Sequence, residues 1–167
     1  MRNIWPEAAE QRCWNHKILN VLDQLPQTQH PSARQMLRAV AYAPTRREAE
    51  RQRKEFEAWC QRRGYLQAAE TLGRDWDRMV TFYQFPQEHW VHLRTVNVVE
   101  SPFAALRLRT DAAQRFKRCD RATAVIWKML LVAERRFRRL NAPHLLAKVY
   151  AGVRYVDGVE ATQEVAA

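Results

Sequence analysis

Cysteine is sparse in this chain, and long apolar runs are absent. Three cysteines in 167 residues, an odd number at no repeated spacing, exclude a disulfide framework and point to a reducing compartment. No apolar stretch approaches the ~18 to 20 residues a helix needs to cross a bilayer, and residues 1–6 carry no signal-peptide pattern, so a cytoplasmic, nucleoid-associated protein with no membrane partner is expected. Histidine and cysteine at metal-ligand spacing are lacking too. Cys13 and His16 form one C-x-x-H pair, but Cys60, His89, His92, Cys119 and His144 are scattered, short of the second pair that tetrahedral zinc requires. Lysine is scarce, with five against 23 arginines, and acids are too few to balance them, 18 against 28 cations for a net charge of +10. Guanidinium groups fork onto phosphate oxygens, so the balance points to a polyanionic partner. A GC-rich genome would also raise arginine, so clustering of charge weighs more than its amount.

What is present suffices for one domain with a core, since 47% of the residues are hydrophobic. Ile4 and Trp5 sit in a start too short to bury them. Residues 10–14 read as a short strand. Asn15 then caps a helix with Ile18, Leu19, Leu22 and Leu25 on its apolar face, stopped by Pro26. Residues 27–85 read as a helical block. Ala33, Met36, Leu37, Val40 and Ala41 mark one packed face, with Pro31 at the entry and Pro44 beyond the exit. Thr45 and Glu48 have the spacing of a capping box, opening a charge-laced helix that runs to about Arg63 before Gly64, with Phe56, Trp59 and Cys60 inward. The aromatics of residues 65–72 and 76–83 are at helical spacing and read as core.

The stretch around which the chain is organised is residues 89–110, H-W-V-H-L-R-T-V-N-V-V-E-S-P-F-A-A-L-R-L-R-T. It sets one carboxylate, Glu100, among Arg94, Arg107 and Arg109, which suits a metal ion and a phosphate. A second reading is a helix start, with Asn97 and Glu100 as a capping box and Val99, Phe103 and Leu106 as a buried stripe. If Asn97 is the cap, Pro102 lies inside the helix and a backbone hydrogen bond is lost. If Ser101 is the cap with Pro102 at the first helical position, Glu100 leaves the helix. Residues 110–120 read as irregular and basic. Asp120 caps a long helix predicted to bury Ala122, Val125, Ile126, Met129, Leu130, Ala133, Phe137 and Leu140 and to end in R-R-F-R-R. There Arg135, Arg136, Arg138 and Arg139 suit the helix dipole and equally make a phosphate-tracking patch. Residues 143–151 read as helical, Val153 and Tyr155 as a short extended piece before Asp157-Gly158, and residues 159–167 as a frayed acidic tail.

Three stretches in the same order, Q-R-C-W-N-H-K at 11–17, E-H-W-V-H-L-R-T-V-N-V-V-E-S-P-F-A-A-L-R-L-R-T at 88–110 and R-R-L-N-A-P-H-L at 138–145, resemble mutator-type transposases of bacterial insertion sequences. The second resembles the segment carrying the family's last catalytic acid. The resemblance implies a mainly α chain, the C-terminal part of a ribonuclease-H-like α/β core with an all-helical insertion and one or two residual short strands. Residues 1–27 would end the catalytic core and residues 28–85 form the insertion. Residues 86–140 would carry the acid and the basic helix, and residues 141–167 the last helix, the extended piece and the tail. The implied activity is DNA cleavage and strand transfer at insertion-sequence ends by two aspartates and a glutamate holding Mg²⁺. Glu100 matches the glutamate, as catalytic residue and metal ligand, and neither aspartate has a match. The chain is therefore expected to be a truncated transposase, catalytically incomplete alone, with terminal inverted repeats, full-length transposase or further copies of itself as partners. The alternative is a DNA- or transposase-binding remnant that regulates the intact enzyme. Cys13 and His16 match a Cys-x-x-His near the family's active site, and a structural histidine remains the other reading. Arg94, Arg107, Arg109, Arg135, Arg136, Arg138 and Arg139 are the residues expected to hold DNA. The family has proline directly after the asparagine, where Val98 stands here.

Overall fold

A computed structural model describes residues 8–161, without the side chains of Val98 and Val99. Ile4, Trp5, the tail beyond residue 161 and the predicted burial of Val99 lie outside the described residues. The chain is mainly helical, with two short strands among the described residues. It divides into two compact units, one of residues 8–95 and 141–161, the other Val96–Leu140.

The first unit begins with α1 (Trp14–Leu22) and α2 (His30–Ala41), then α3 (Arg46–Arg63) and α4 (Leu66–Gly73), followed by the short α5 (Trp76–Met79) and α6 (Trp90–Leu93). The expected strand at residues 10–14 does not form. This segment has no ladder partner and instead hands over single bonds, Arg12 N–H to Arg78 C=O (2.8 Å) and Trp14 N–H to Arg94 C=O (3.0 Å). Consequently α1 starts at Trp14 with Cys13, not Asn15, at its N-cap; Leu22 and Leu25 are buried and Ile18 packs against the core as read, Trp14, Lys17 and Val21 join them, and Leu19 is exposed. Trp14 donates its Nε1–H to Met79 C=O at 2.9 Å.

The α2 and α3 predictions hold closely. Pro31 stands in the first turn of α2, and Ala33, Leu37, Val40 and Ala41 are buried. Thr45 Oγ1 accepts from Glu48 N–H (3.1 Å), and Gly64 closes α3 at φ 77°, the left-handed conformation that glycine adopts without penalty. Phe56, Trp59 and Cys60 face inward. The charges on the outer face of α3 pair along the helix, Arg46 with Glu50 and Arg53 with Glu57, so this is a solvated face. Trp76, Phe82 and Tyr83 are core, with Phe82 and Trp90 edge to face at 5.2 Å.

At the far end of this unit, α9 (Leu146–Tyr150) precedes a hairpin of β1 (Tyr155–Val156) and β2 (Val159–Glu160), paired antiparallel with Val156 opposite Val159. The turn residues Asp157 and Gly158 have φ of 49° and 82°, the two positive values a tight two-residue hairpin demands. Residues 159–160, read from sequence as tail, are thus the second strand.

The second unit is two helices, α7 (Asn97–Ala112) and α8 (Cys119–Glu134). The helix does not wait for Ser101. Val96 is the N-cap, Glu100 N–H bonds Val96 C=O at 3.0 Å, and Pro102 is accommodated inside at the cost of the bond its missing N–H would make. Further expectations fail here: Phe103, read as part of a buried stripe, is exposed, and Arg118 rather than Asp120 stands at the N-cap of α8. Within α8 no residue is buried, and Val125, Ile126 and Phe137 are exposed. The helix also stops at Glu134, before R-R-F-R-R, in a tight turn closed by Arg136 N–H to Ala133 C=O (2.9 Å). Four successive cations around one phenylalanine repel each other and gain nothing from burial, so extension is not favoured.

Candidate nucleic-acid interface

The three stretches that carry the resemblance converge, in the first unit, through one backbone bond and two contacts between histidine rings and backbone groups. Trp14 N–H reaches Arg94 C=O, His92 Nε2 accepts from Asn141 N–H (3.0 Å), and His89 Nε2 lies 3.3 Å from Ala142 C=O. His92 thus ties the second stretch to the third through its ring nitrogen. His89 is 4% exposed.

Gln11, Arg12, Trp14 and Lys17 clasp the segment from Thr71 to Phe82. The Gln11 amide donates to Met79 C=O (3.0 Å) and accepts from Phe82 N–H (2.9 Å), and Arg12 pairs with Asp75. Lys17, a buried cation the sequence reading missed, donates to Thr71 and Arg74 C=O at 2.8 and 2.7 Å. It satisfies carbonyls at the end of α4, where the helix dipole favours positive charge, and burial pushes its ammonium below the usual lysine value. Its position three residues after Trp14, on the same helical face, was the signal available. Cys13 is half-buried and His16 exposed, and among the described residues no group of three His, Cys, Asp or Glu side chains is disposed to hold a metal ion.

Arg94 is placed among rings. Its guanidinium carbon lies 4.6 Å from the Tyr42 ring centre, 4.8 Å from Phe82 and 5.7 Å from Trp90. Its Nε is buried without a hydrogen-bond partner, and desolvation pushes its pKa below the usual arginine value. Cation–π attraction supports the charge there.

The other predicted residues lie in the second unit. Glu100 sits in the first turn of α7, half-buried. Arg107, seven residues or two turns on, is on Glu100's side of the helix, while Arg109 is turned to the opposite side; both are exposed. Arg136 and Arg138 line one groove of about 540 Å³ with Asn97 and Ser101 of α7; Glu100 is not in its lining. Arg135 and Arg139 are exposed on the same basic segment. Over residues 96–140 eleven lysines and arginines face four acids, so +7 of the chain's +10 lies in this unit. The first unit's cations are largely matched by acids along and between its helices, for example Arg74 with Glu70 and Arg78 with Glu10. Unbalanced positive charge on exposed side chains is what draws a phosphate backbone.

A family described as "Transposase, Mutator family" matches residues 1–138. The transposase for insertion sequence element IS6120 of Mycolicibacterium smegmatis is 39% identical over 158 residues, 95% of this chain and 49% of that protein. The transposase for insertion sequence element IST2 of Acidithiobacillus ferrooxidans is 38% identical over 160 residues, 94% of this chain and 53% of its own length. The transposase for insertion sequence element ISRM5 of Rhizobium meliloti is 29% identical over 115 residues, 68% of this chain and 28% of that protein. The chain therefore spans about half the length of the first two relatives. With the match running across both units, the chain belongs to the Mutator family of transposases.

Proposed function

We propose that this chain acts in DNA transposition at insertion-sequence ends as the glutamate-bearing part of a transposase, gripping DNA through the second unit and unable to cut it alone. The observation that carries this reading is the concentration of +7 net charge in the 45 residues that also hold Glu100. Arg107 shares the acid's helical face, and Arg109, Arg135, Arg136, Arg138 and Arg139 supply further guanidinium groups to the DNA backbone. In this reading the mainly α chain is part of a ribonuclease-H-like core whose sheet and two aspartates are contributed elsewhere.

Glu100 is the residue here that would bind Mg²⁺ in the family's chemistry. The fit is incomplete, because the described residues bring no further pair of acids, histidines or cysteines to it. A two-ion clamp on attacking and leaving oxygens needs several carboxylates, so no catalytic step is assigned to this chain by itself. Fluorescence anisotropy with terminal-repeat DNA across salt tests the DNA grip. Steep loss of affinity with salt supports it, and no binding at low salt refutes it. A role as a remnant that binds the intact transposase is favoured by one separate observation, the uncovered apolar surface of α8.

A further inference from the structure

No Asp or Glu stands between Asp23 and Glu48, a stretch that holds Arg34, Arg38, Arg46 and Arg47. Within it α2 turns Ala33, Leu37, Val40 and Ala41 inward and leaves Arg34 and Arg38 exposed. On α3 guanidinium groups are matched by carboxylates of the same helix, as in Arg51 with Glu48. Arg34 and Arg38, by contrast, make no ion pair or side-chain hydrogen bond among the described residues. The dipole of α2 accounts for a cation in the last turn, at Arg38, and not for one a turn earlier. Tyr42 continues the row. Its N–H bonds Arg38 C=O at 2.9 Å, so helical spacing persists and residues 34, 38 and 42 follow one another along one face, about 6 Å of rise apart. Tyr42 is 57% exposed, yet its ring is held from one side, where the Arg94 guanidinium carbon lies 4.6 Å from the ring centre.

We propose that this face of α2 binds an unpaired DNA strand, with Arg34 and Arg38 on backbone phosphates and a base stacked on the open side of the Tyr42 ring. An aromatic plane beside a track of uncompensated cations is the arrangement by which single strands are held. A duplex keeps its base faces covered by neighbouring pairs, so the ring is matched only where bases are unstacked. Because Arg94 already holds the ring, a base does not have to order it on arrival. The other exposed side chains of this face, Gln35 and Ala39, offer no apolar patch on which a protein partner would dock. That the strand is DNA rests on the transposase reading, in which cutting and rejoining pass through strand ends whose bases unstack. The pairing of cations and ring does not depend on it, nor on the second unit.

The test uses the full chain with Arg135, Arg136, Arg138 and Arg139 replaced by alanine, so that the basic segment after α8 does not contribute. Binding of a single-stranded oligodeoxynucleotide carrying one 2-aminopurine is followed by anisotropy and by the quenching of 2-aminopurine emission on stacking. Tyr42→Ala is expected to weaken binding by roughly 5-fold or more, the scale of losing one base stacked on a ring, and to abolish the quench. Tyr42→Phe keeps the ring and should retain both. Arg34→Ala together with Arg38→Ala should reduce the slope of log affinity against log salt by about 1.4, near 0.7 for each phosphate on a single strand. Both arginines are exposed, so circular dichroism and melting of this double variant should match the parent. The proposal is overturned by absence of quenching in the parent, by single-strand affinity indifferent to Tyr42→Ala and to the arginine pair, or by equal losses for single-stranded and duplex DNA of one sequence. In the unsubstituted chain, Tyr42-dependent binding of the single strand without binding of terminal-repeat duplex would remove the second unit's grip and leave this face standing.

Discussion

Asp157, at the tip of the β hairpin, accepts a 2.7 Å hydrogen bond through Oδ1 from the backbone N–H of Arg46, the first residue of α3, 111 positions earlier. A carboxylate at a helix N-terminus satisfies an otherwise orphaned donor and sits favourably in the helix dipole. Thr45 satisfies the next turn's donor at Glu48, so the start of α3 is capped from both sides of the sequence.

Asp157→Ala should therefore lower stability by about 1–2 kcal/mol, and Asp157→Asn, which keeps an oxygen acceptor, by less. Urea denaturation followed by circular dichroism measures both. Gly158→Ala should be at least as damaging. A Cβ there would stand 2.8 Å from Trp90 Cζ2 and from Gln87 Cβ, on a backbone with φ of 82°.

Arg94→Ala should destabilise the first unit by about 1–3 kcal/mol, because the Tyr42, Phe82 and Trp90 rings lose both the cation and the packing of its stem. Arg94→Lys should recover only part of this, since an ammonium lacks the flat guanidinium face. If Arg94 instead serves DNA, melting will be unchanged while affinity falls.

Cys60 is fully buried, and its thiol is pushed up to about 11 by burial and by Glu57. Its folded pKa exceeds its ordinary value, so the folded state keeps a proton that the unfolded state loses. That contribution to stability is complete below about pH 9 and is lost between about pH 9 and 11. The depressed Lys17 ammonium acts in the opposite sense, with stability rising as pH approaches 10.5. The difference between wild type and Cys60→Ala isolates the thiol, and it should shrink steadily over that alkaline window. Thiol labelling in the native protein should reach Cys119, which is exposed, and leave Cys60 untouched until unfolding.

The basic segment after α8 should show itself in salt dependence. Converting Arg135, Arg136, Arg138 and Arg139 together to alanine should reduce the slope of log affinity against log salt for duplex DNA by about 3–4, near 0.9 for each phosphate no longer neutralised. An unchanged slope would remove these four from the interface.

Much of the first unit was legible because its signals are local. Thr45 with Glu48, Gly64, and the spacing of Ala33, Leu37 and Val40 each declare an element within one or two turns. The strand expected at residues 10–14 failed because alternation over five residues says nothing about a pairing edge, and the segment found isolated carbonyls at Arg78 and Arg94 instead. The hairpin at 155–160 was half seen. Asp157-Gly158 announced the turn, but what holds it is Arg46, Gln87 and Tyr83, far away in sequence. For α8 the periodicity marked a helix, while burial depends on what packs against it, which periodicity does not contain. Glu100 was found through resemblance, and its place in the first turn of α7 depended on the helix tolerating Pro102.

The most direct test incubates this chain alone with terminal-repeat DNA and Mg²⁺ and measures strand cleavage and joining. The expected result is binding without product, the same for wild type and Glu100→Ala. Robust product from the wild-type chain, lost on Glu100→Ala, would contradict the claim that it carries one acid of a centre completed elsewhere.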